Sequence, residues 1–172
     1  MAKKQLTLDE ITIRFAGDSG DGMQLVGTQL SVLCGTIGNG VNTFPDYPSE
    51  IRAPEGTLYG VSAYQVHIGS KPVYTFGDKM DILIGLNASS VKVNLPHVRE
   101  GATIIVDTNG FQGKFLELSE YPGNPLEDDT YAKYKVIKVD IKKVMQEELA
   151  DMNLSVRSID RTKNIFTLGM VS

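Results

Sequence analysis

A glycine-rich loop near the start of the chain combines residue types and spacing that suit anion binding. It spans residues 17–22, reads Gly-Asp-Ser-Gly-Asp-Gly, and separates an alternating apolar run at 11–16 from a helical run that begins near Met23. At such a strand-to-helix junction, backbone N–H groups and the helix dipole favour a phosphate or pyrophosphate group. The candidate binding residues are Gly17, Ser19, Gly20, Asp21 and Gly22.

Three known loop chemistries fail to match this stretch in full. No Gly-Lys-Ser or Gly-Lys-Thr closes it, which excludes a Walker A loop. The dinucleotide pattern G-x-G-x-x-G is matched at Gly17 and Gly22 but broken by Ser19, so NAD is a poor candidate. The run Gly20-Asp21-Gly22 begins a thiamine diphosphate motif, but no Asn-Asn pair follows at the needed distance. The plain alternative is that the glycines only permit a tight turn.

Arg52 is a further candidate, because a guanidinium can hold a phosphate or a carboxylate through two parallel hydrogen bonds. It lies in a proline-bearing loop, 45–57, at the edge of the predicted sheet where ligands of open α/β folds bind. The alternative is a surface ion pair between Arg52 and Glu50 or Glu55. The charge of Asp21 would oppose a phosphate unless the side chain points away or meets a cation such as Arg52. The alternative is that Asp21 caps the helix that follows it.

The other polar residues are weaker candidates. Asn87 and Asp107 end two apolar runs, where they either line a cleft or start turns. We assign no catalytic residue, because His67 and His97 have no identifiable Ser or Cys partner. Cys34 is expected to be a small buried hydrophobe. With one cysteine and two histidines in the chain, no metal site is predicted.

The apolar pattern predicts the elements that must position these residues. A strand at 11–16, a helix from Met23 and a strand at 41–44 form a βαβ unit with a right-handed crossover. Near-continuous apolar runs at 81–87 and 102–107 predict strands buried in a parallel sheet. The first helix is predicted to pack through Met23, Val26, Leu30, Leu33 and Ile37. The remaining predicted elements are helices at 88–98, 141–152 and 164–172 and a strand at 135–139.

Two β-rich runs, 58–68 and 73–76, predict a hairpin. Residues 109–133 show little periodicity and are predicted to form a surface excursion. The predicted fold is therefore a three-layer, Rossmann-like α/β domain, with a mostly parallel sheet and an antiparallel hairpin portion.

Composition bounds the possible functions. A length of 172 residues and a net charge of −4 suit one globular domain. A single cysteine excludes an intrachain disulfide and an iron–sulfur cluster held by this chain alone. The balance of 17 basic against 21 acidic residues argues against nucleic acid as a partner. No apolar run approaches a bilayer span and no signal peptide is recognisable, so we expect no membrane association and a cytoplasmic protein.

The 17–22 loop and the run Phe44-Pro45-Asp46-Tyr47-Pro48-Ser49-Glu50-Ile51-Arg52-Ala53-Pro54 together resemble the gamma domain of the 2-oxoacid:ferredoxin oxidoreductases. The Ser-Gly-Asp-Gly and Tyr-Pro-Ser-Glu-Ile-Arg segments are most similar to the 2-oxoglutarate type of alpha subunit. Many members have the loop G-x-G-G-Q-G, whereas Ser19 and Asp21 stand here in place of a Gly and the Gln. The resemblance extends to the Asn-Ile-Phe-Thr-Leu-Gly stretch at 164–169.

This resemblance implies a component of a multisubunit enzyme that converts a 2-oxoacid, coenzyme A and oxidised ferredoxin to acyl-CoA, carbon dioxide and reduced ferredoxin. It implies coenzyme A near this domain, and thiamine diphosphate with Mg and iron–sulfur clusters on other domains or subunits. The implied partners are a thiamine-binding beta subunit and a ferredoxin or ferredoxin-like subunit, in an oligomer. Residues 1–172 would be a single gamma-type domain, the N-terminal fragment of a longer subunit and inactive alone, with the 17–22 loop and Arg52 near the coenzyme A or an interdomain phosphate.

Two other functions stay open. A noncatalytic assembly module would use the 17–22 loop only as structure and would dock a partner through the loop 45–57. An independent nucleotide-binding oxidoreductase is the third reading, and Ser19 in the dinucleotide pattern counts against it.

Overall fold

The protein is represented by a computed structural model that describes residues 7–50, 52–152, 158 and 162–171. A mixed sheet lies between two layers of helices. Its strands are β1 (Glu10–Asp18), β2 (Gly40–Asp46), β3 (Val61–Gly69), β4 (Met80–Gly85), β5 (Val98–Asp107) and β6 (Lys135–Val139). The α-helices are α1 (Met23–Thr36), α2 (Ala88–Asn94), α3 (Gly113–Leu118), α4 (Ile141–Glu148) and α5 (Lys163–Gly169).

The strand order is β2-β3-β1-β4-β5-β6. Strands β1, β4, β5 and β6 run parallel, and β3 runs antiparallel to both of its neighbours, β1 and β2. The predicted α/β fold, with a mostly parallel sheet and an antiparallel portion, is confirmed. The unit β1-α1-β2 is present with its two strands in the same direction, although β3 lies between them.

The predicted hairpin partner of β3 is wrong. Residues 73–76 form no strand, and residues 58–60 form a short 3₁₀ turn. The segment 70–79 instead lies over the sheet face that carries Gln65, whose side-chain amide donates to the carbonyl oxygens of Phe76 and Gly77 at 2.6 and 2.9 Å. The ring of Phe76 stacks on Phe44 with 4.7 Å between centroids. Side-chain contacts therefore replace the ladder hydrogen bonds that the apolar pattern predicts.

The two faces of the sheet carry separate cores. Phe15 and Ile13 of β1 pack beneath α1, α4 and α5, while Ala16 of the same strand packs on the other face with α2 and α3. Alternate side chains of a strand point to opposite faces, so β1 contributes side chains to both cores. The three-layer architecture is confirmed, and none of the described helices is long and apolar enough to span a membrane.

The buried side of α1 differs from the predicted one. Met23, Val26, Leu30 and Cys34 are buried as expected of a core face, with Gly27 beside them. The predicted core residues Leu33 and Ile37 are instead 47% and 70% exposed. Leu33 lies about 80° around the helix from the centre of the buried face at 100° per residue, and Ile37 follows the last helical residue.

The predicted surface excursion at 109–133 is only partly correct. It contains α3 and short 3₁₀ turns, and it buries Phe111 and Tyr131 in the core beneath α2. These buried residues stand too far apart in the sequence to give a periodic signal. The other predicted elements are present as α2, β6, α4 and α5, while Ile51 and Ser172 lie outside the described residues.

We predict opposite effects for two alanine substitutions in α1. A Cβ at Gly27 would lie 2.0 Å from the Tyr64 ring, so Gly27→Ala is expected to lower the free energy of unfolding by about 1–3 kcal/mol through overpacking. A Cβ at Gly35 meets nothing within 4 Å. Gly35→Ala should therefore raise the free energy of unfolding by up to about 1 kcal/mol, because alanine has the higher helix propensity. Urea unfolding measures both, and equal effects would contradict this packing of α1.

Candidate functional site

The carboxyl ends of β1 and β4 form a crevice. The chain leaves β1 for α1 on one face of the sheet and leaves β4 for α2 on the other. Ligands of open α/β sheets bind where neighbouring strands diverge in this way. Two adjoining cavities of about 60 and 400 Å³ lie there, and Asp18, Asp21 and Glu55 line both of them.

Asp18, the last residue of β1, joins three segments at this crevice. Its carboxylate accepts hydrogen bonds from the Gly56 N–H at 2.9 Å and from the Asn87 side-chain amide at 2.8 Å. Burial raises the pKa of Asp18 from 3.8 to about 6, although the hydrogen bond from Gly56 acts in the opposite direction. Asp18 therefore connects β1 to the 45–57 loop and to the start of α2 while carrying a destabilised charge.

Asn87 and Asp107 both line the crevice, and each also begins the element that follows it. The two predicted alternatives, lining a cleft and starting a turn, are therefore both observed. The Asn87 side chain accepts from the Ser90 N–H at 2.8 Å and caps α2. Asp107 accepts from the Asn109 N–H at 3.2 Å and forms a salt bridge of 3.1 Å with Lys163. The only cation among the described residues that line the smaller cavity is thus already paired.

The glycine loop is organised around Asp21. The Asp21 carboxylate accepts from the Asp18 N–H at 2.8 Å, so it turns back toward β1 and does not cap α1. The cap position is taken by Gly22, which has a φ of 76°. A Cβ at Gly17 would lie 2.7 Å from the Asp21 carboxylate, so the glycine leaves room for that contact. The alternative in which Asp21 caps α1 is therefore not observed.

We define the rim as Ser19 and Gly20 together with the backbone of the first turn of α1, whose Met23 and Val26 side chains are buried. Ser19 and Gly20 are exposed, and no side chain caps the first N–H groups of α1. Those N–H groups have no partner within the helix and carry its positive dipole end. At the rim, an exposed loop therefore adjoins a helix end whose first N–H groups are not capped by a side chain.

Arg52 does not line either cavity of the crevice. It is exposed, has a φ of 62°, and forms no ion pair with Glu50 or Glu55. Its side chain has no hydrogen bond or salt bridge with another residue in the described part of the chain. The predicted pairing alternative is therefore not observed, and the guanidinium is available to a ligand or partner.

The crevice itself does not fit a phosphate. Its larger cavity is lined by the carboxyl groups of Asp18, Asp21 and Glu55, with no cation among the described lining residues. At short range, like charges repel strongly in a partly buried site. Ser19 and Gly20 of the rim line the same cavity and carry no charge.

Sequence reasoning missed the residues that close the crevice. Asp18 continues the alternation of β1 that places Ala16 toward α2, so the pattern contained a signal for its inward orientation. Glu55 and Lys163 gave no such signal, because their place depends on contacts distant in sequence. Asn164 is also close, since a Cβ at Gly22 would lie 2.7 Å from its side-chain amide.

A comparison with known proteins shows which family this chain belongs to. The sequence profile described as "Pyruvate ferredoxin/flavodoxin oxidoreductase" matches residues 12–172. The chain belongs to this family. Residues 17–22 and 44–54, which carry the predicted resemblance, and its extension at 164–169 all lie in the matched region, and that prediction is confirmed.

Relatives of this oxidoreductase domain include a curated protein and several solved structures. The chain is 38% identical over 165 residues to "2-oxoglutarate oxidoreductase subunit KorA" of Mycobacterium tuberculosis (strain ATCC 25618 / H37Rv), and this match covers 96% of the chain. It covers 25% of KorA, so the chain spans about a quarter of the length of that relative.

Two solved structures share the fold of the domain. A 2-oxoglutarate:ferredoxin oxidoreductase from Magnetococcus marinus, with 2-oxoglutarate, coenzyme A and succinyl-CoA bound, matches with a TM-score of 0.67 at 23% identity, over 95% of this chain and 24% of that one. The gamma subunit of a keto/oxoacid ferredoxin oxidoreductase from Geobacter sulfurreducens PCA matches with a TM-score of 0.62 at 22% identity, over 93% of this chain and 73% of that one.

We predict that Asp18 makes the stability of this oxidoreductase domain fall with rising pH. Because its pKa is about 6 in the folded state and 3.8 as an ordinary aspartate, the unfolded chain releases this proton first as the pH rises. The contribution of Asp18 to stability is therefore present below pH 4 and is lost as the pH passes 6, by up to about 3 kcal/mol in total.

Asp18→Asn should remove this dependence. The free energy of unfolding of the wild type minus that of Asp18→Asn is expected to fall between pH 4 and pH 7, measured by urea unfolding. Asp128→Asn is the control, because hydrogen bonds from Thr130 lower the pKa of the Asp128 carboxyl and its contribution has the opposite sign. Parallel stability curves for wild type and Asp18→Asn would contradict the buried, destabilised carboxylate.

Proposed function

We propose that this chain is a domain of a 2-oxoglutarate:ferredoxin oxidoreductase, which converts 2-oxoglutarate, coenzyme A and oxidised ferredoxin to succinyl-CoA, carbon dioxide and reduced ferredoxin. The observation that carries the proposal is the 38% identity to the KorA subunit over 96% of the chain. The profile match over residues 12–172 supports the broader class of oxidoreductase. The likeness to the Magnetococcus marinus enzyme supports the same fold in an enzyme of this kind.

In this proposal the domain binds and positions, and it makes or breaks no bond. Thiamine diphosphate and iron–sulfur clusters would supply the decarboxylation and electron-transfer chemistry from other domains or subunits, including a thiamine-binding beta subunit and a ferredoxin-like partner. The residues of this chain suit that division of labour. Its one cysteine, Cys34, is buried in the α1 core face, and burial raises the pKa of the thiol.

The part of the domain that we assign to the coenzyme A side is the rim together with Arg52. The rim offers N–H groups at the positive end of the α1 dipole, which suit a phosphate. Arg52 offers an unpaired guanidinium on a backbone with a φ of 62°, a conformation that costs energy for a non-glycine residue. The predicted binding residues Gly17 and Gly22 then shape the loop, while Asp21 holds it against β1.

The alternative is a noncatalytic assembly module with a structural glycine loop. The observation that favours it is the acidic crevice, where Asp18, Asp21 and Glu55 surround the place at which a ligand of this fold class is expected. Under this alternative, Arg52 pairs with a carboxylate of a partner subunit and has no effect on coenzyme A.

Turnover by the assembled enzyme tests the proposed activity. The complete oxidoreductase that contains this chain is expected to reduce ferredoxin with 2-oxoglutarate only when coenzyme A is present, and with a kcat/KM at least about tenfold above that for pyruvate, which is a difference of about 1.4 kcal/mol. Ferredoxin reduction is followed by absorbance. Preference for pyruvate would contradict the substrate, and no coenzyme A-dependent oxidation of either 2-oxoacid would contradict the reaction.

Arg52→Ala separates the coenzyme A role from the assembly role. Alanine and arginine share the cost of a positive φ, so the substitution isolates the guanidinium. If Arg52 contacts a phosphate, the KM for coenzyme A rises by about tenfold, the effect of losing one charged hydrogen bond, while kcat and subunit composition stay unchanged.

The matched control is Lys71→Ala, an exposed cation in the turn after β3, at the opposite edge of the sheet. It is expected to leave the KM for coenzyme A unchanged. Loss of a subunit from Arg52→Ala, with an unchanged KM in the complex that remains, would favour the assembly module over the coenzyme A role.

A further inference from the structure

The side-chain amide of Gln24 lies where the connection between β2 and β3, residues 47–60, begins and ends. Gln24 is the second residue of α1. Its amide nitrogen lies 3.2 Å from the Asp46 carbonyl oxygen, 3.2 Å from the Ser62 hydroxyl and 2.9 Å from the Ala63 carbonyl oxygen. Asp46 ends β2, and Ser62 and Ala63 follow the first residue of β3. One amide group thus contacts both roots of the loop that carries Arg52.

The acceptors at these roots are themselves fixed to the sheet. Asp46 pairs with Ala63 in the ladder between β2 and β3. The Asp46 carboxylate also forms a salt bridge with Arg14 of β1, whose side chain is 9% exposed. Two of the three acceptors of Gln24 are main-chain carbonyls, so its hydrogen bonds hold backbone and not a side chain that can change its rotamer. These contacts fix the first turn of α1 relative to the loop roots.

The other polar side chains of α1 do not make this connection. Thr28, Ser31 and Thr36 each donate to the carbonyl oxygen four residues earlier in the helix itself. Gln29 is exposed and has no hydrogen bond with another residue in the described part of the chain. Gln24 is thus the polar side chain through which α1 contacts the loop roots.

Hydrogen bonds within the loop carry the position of its roots toward Arg52. The Glu50 N–H donates to the Tyr59 carbonyl at 3.3 Å and joins the two sides of the loop just before Arg52. On the other side, the Gly56 N–H donates to the Asp18 carboxylate at 2.9 Å. Because the loop is closed across its stem, a shift of the roots displaces the segment that holds Arg52.

We propose that Gln24 is a positioning residue for coenzyme A binding, because it ties the first turn of α1 to both roots of the loop and thereby sets where Arg52 lies relative to the rim. The inference rests on the proposed function, which assigns the rim and Arg52 to the coenzyme A side. The amide hydrogens of Gln24 are directed to protein oxygens, so Gln24 acts through the loop and not on the ligand. A loop already held in its binding arrangement needs less ordering when the ligand binds, which raises affinity.

The KM for coenzyme A of the complete enzyme tests this role. Gln24→Met keeps a long, unbranched side chain but removes the amide donors. It is expected to raise the KM for coenzyme A by about threefold to tenfold and to leave kcat and the KM for 2-oxoglutarate unchanged. Gln29→Met is the matched control, because it makes the same change at an exposed position of the same helix. It should behave like the wild type.

A double-mutant cycle shows whether Gln24 acts through Arg52. In the Arg52→Ala background, Gln24→Met is expected to change the KM for coenzyme A by less than about twofold, since the guanidinium that it positions is absent. A merely structural role for Gln24 would instead add its effect to that of Arg52→Ala, as independent substitutions do.

Hydrogen–deuterium exchange in the absence of coenzyme A provides a measurement that does not depend on turnover. The hydrogen-bonded amides of Glu50 and Gly56 are expected to exchange about threefold faster or more in Gln24→Met than in the wild type or Gln29→Met, because released roots let the loop open locally. If Gln24→Met fails to fold, as judged by circular dichroism, Gln24→Ala takes its place, because alanine favours a helix.

Three results would overturn the positioning role: a wild-type KM for coenzyme A in folded Gln24→Met while Arg52→Ala raises it, additive effects of the two substitutions, or loop amides that exchange as in the wild type. Each of these leaves the proposed function standing. If Arg52→Ala itself leaves the KM for coenzyme A unchanged, the proposed coenzyme A role of Arg52 fails, and the positioning role fails with it.

Discussion

The hydrogen bonds that the buried Asp18 carboxylate accepts fix the geometry of the crevice at the carboxyl ends of β1 and β4. One of its oxygens accepts from the Gly56 N–H and the other from the Asn87 amide, so β1, the 45–57 loop and the start of α2 meet at one group. The Ser89 hydroxyl also donates to the Gly56 carbonyl at 2.6 Å, which fixes the loop from the α2 side. Because Ser19 follows Asp18 directly, this cross-link also sets where the rim begins.

The same carboxylate determines where a charged ligand can bind. Asp18, Asp21 and Glu55 make the crevice negative, and the nearby ammonium group of Lys163 is already paired with Asp107. An anion is thus disfavoured at the place where α/β folds usually hold one. One carboxylate oxygen of Asp21 accepts from the Asp18 N–H, so part of its charge is satisfied within the loop.

Local patterns could predict the strands and helices around the site but not the contacts that close it. The alternation at 11–16, the glycines at 17–22 and the helical run from Met23 each depend on neighbouring residues, and β1, the loop and α1 appear where they indicate. The insertion of β3 between β1 and β2 depends on pairing across long stretches of chain, which periodicity does not encode. The bond from Asp18 to Asn87 joins residues 69 positions apart, so it could not be read from either pattern.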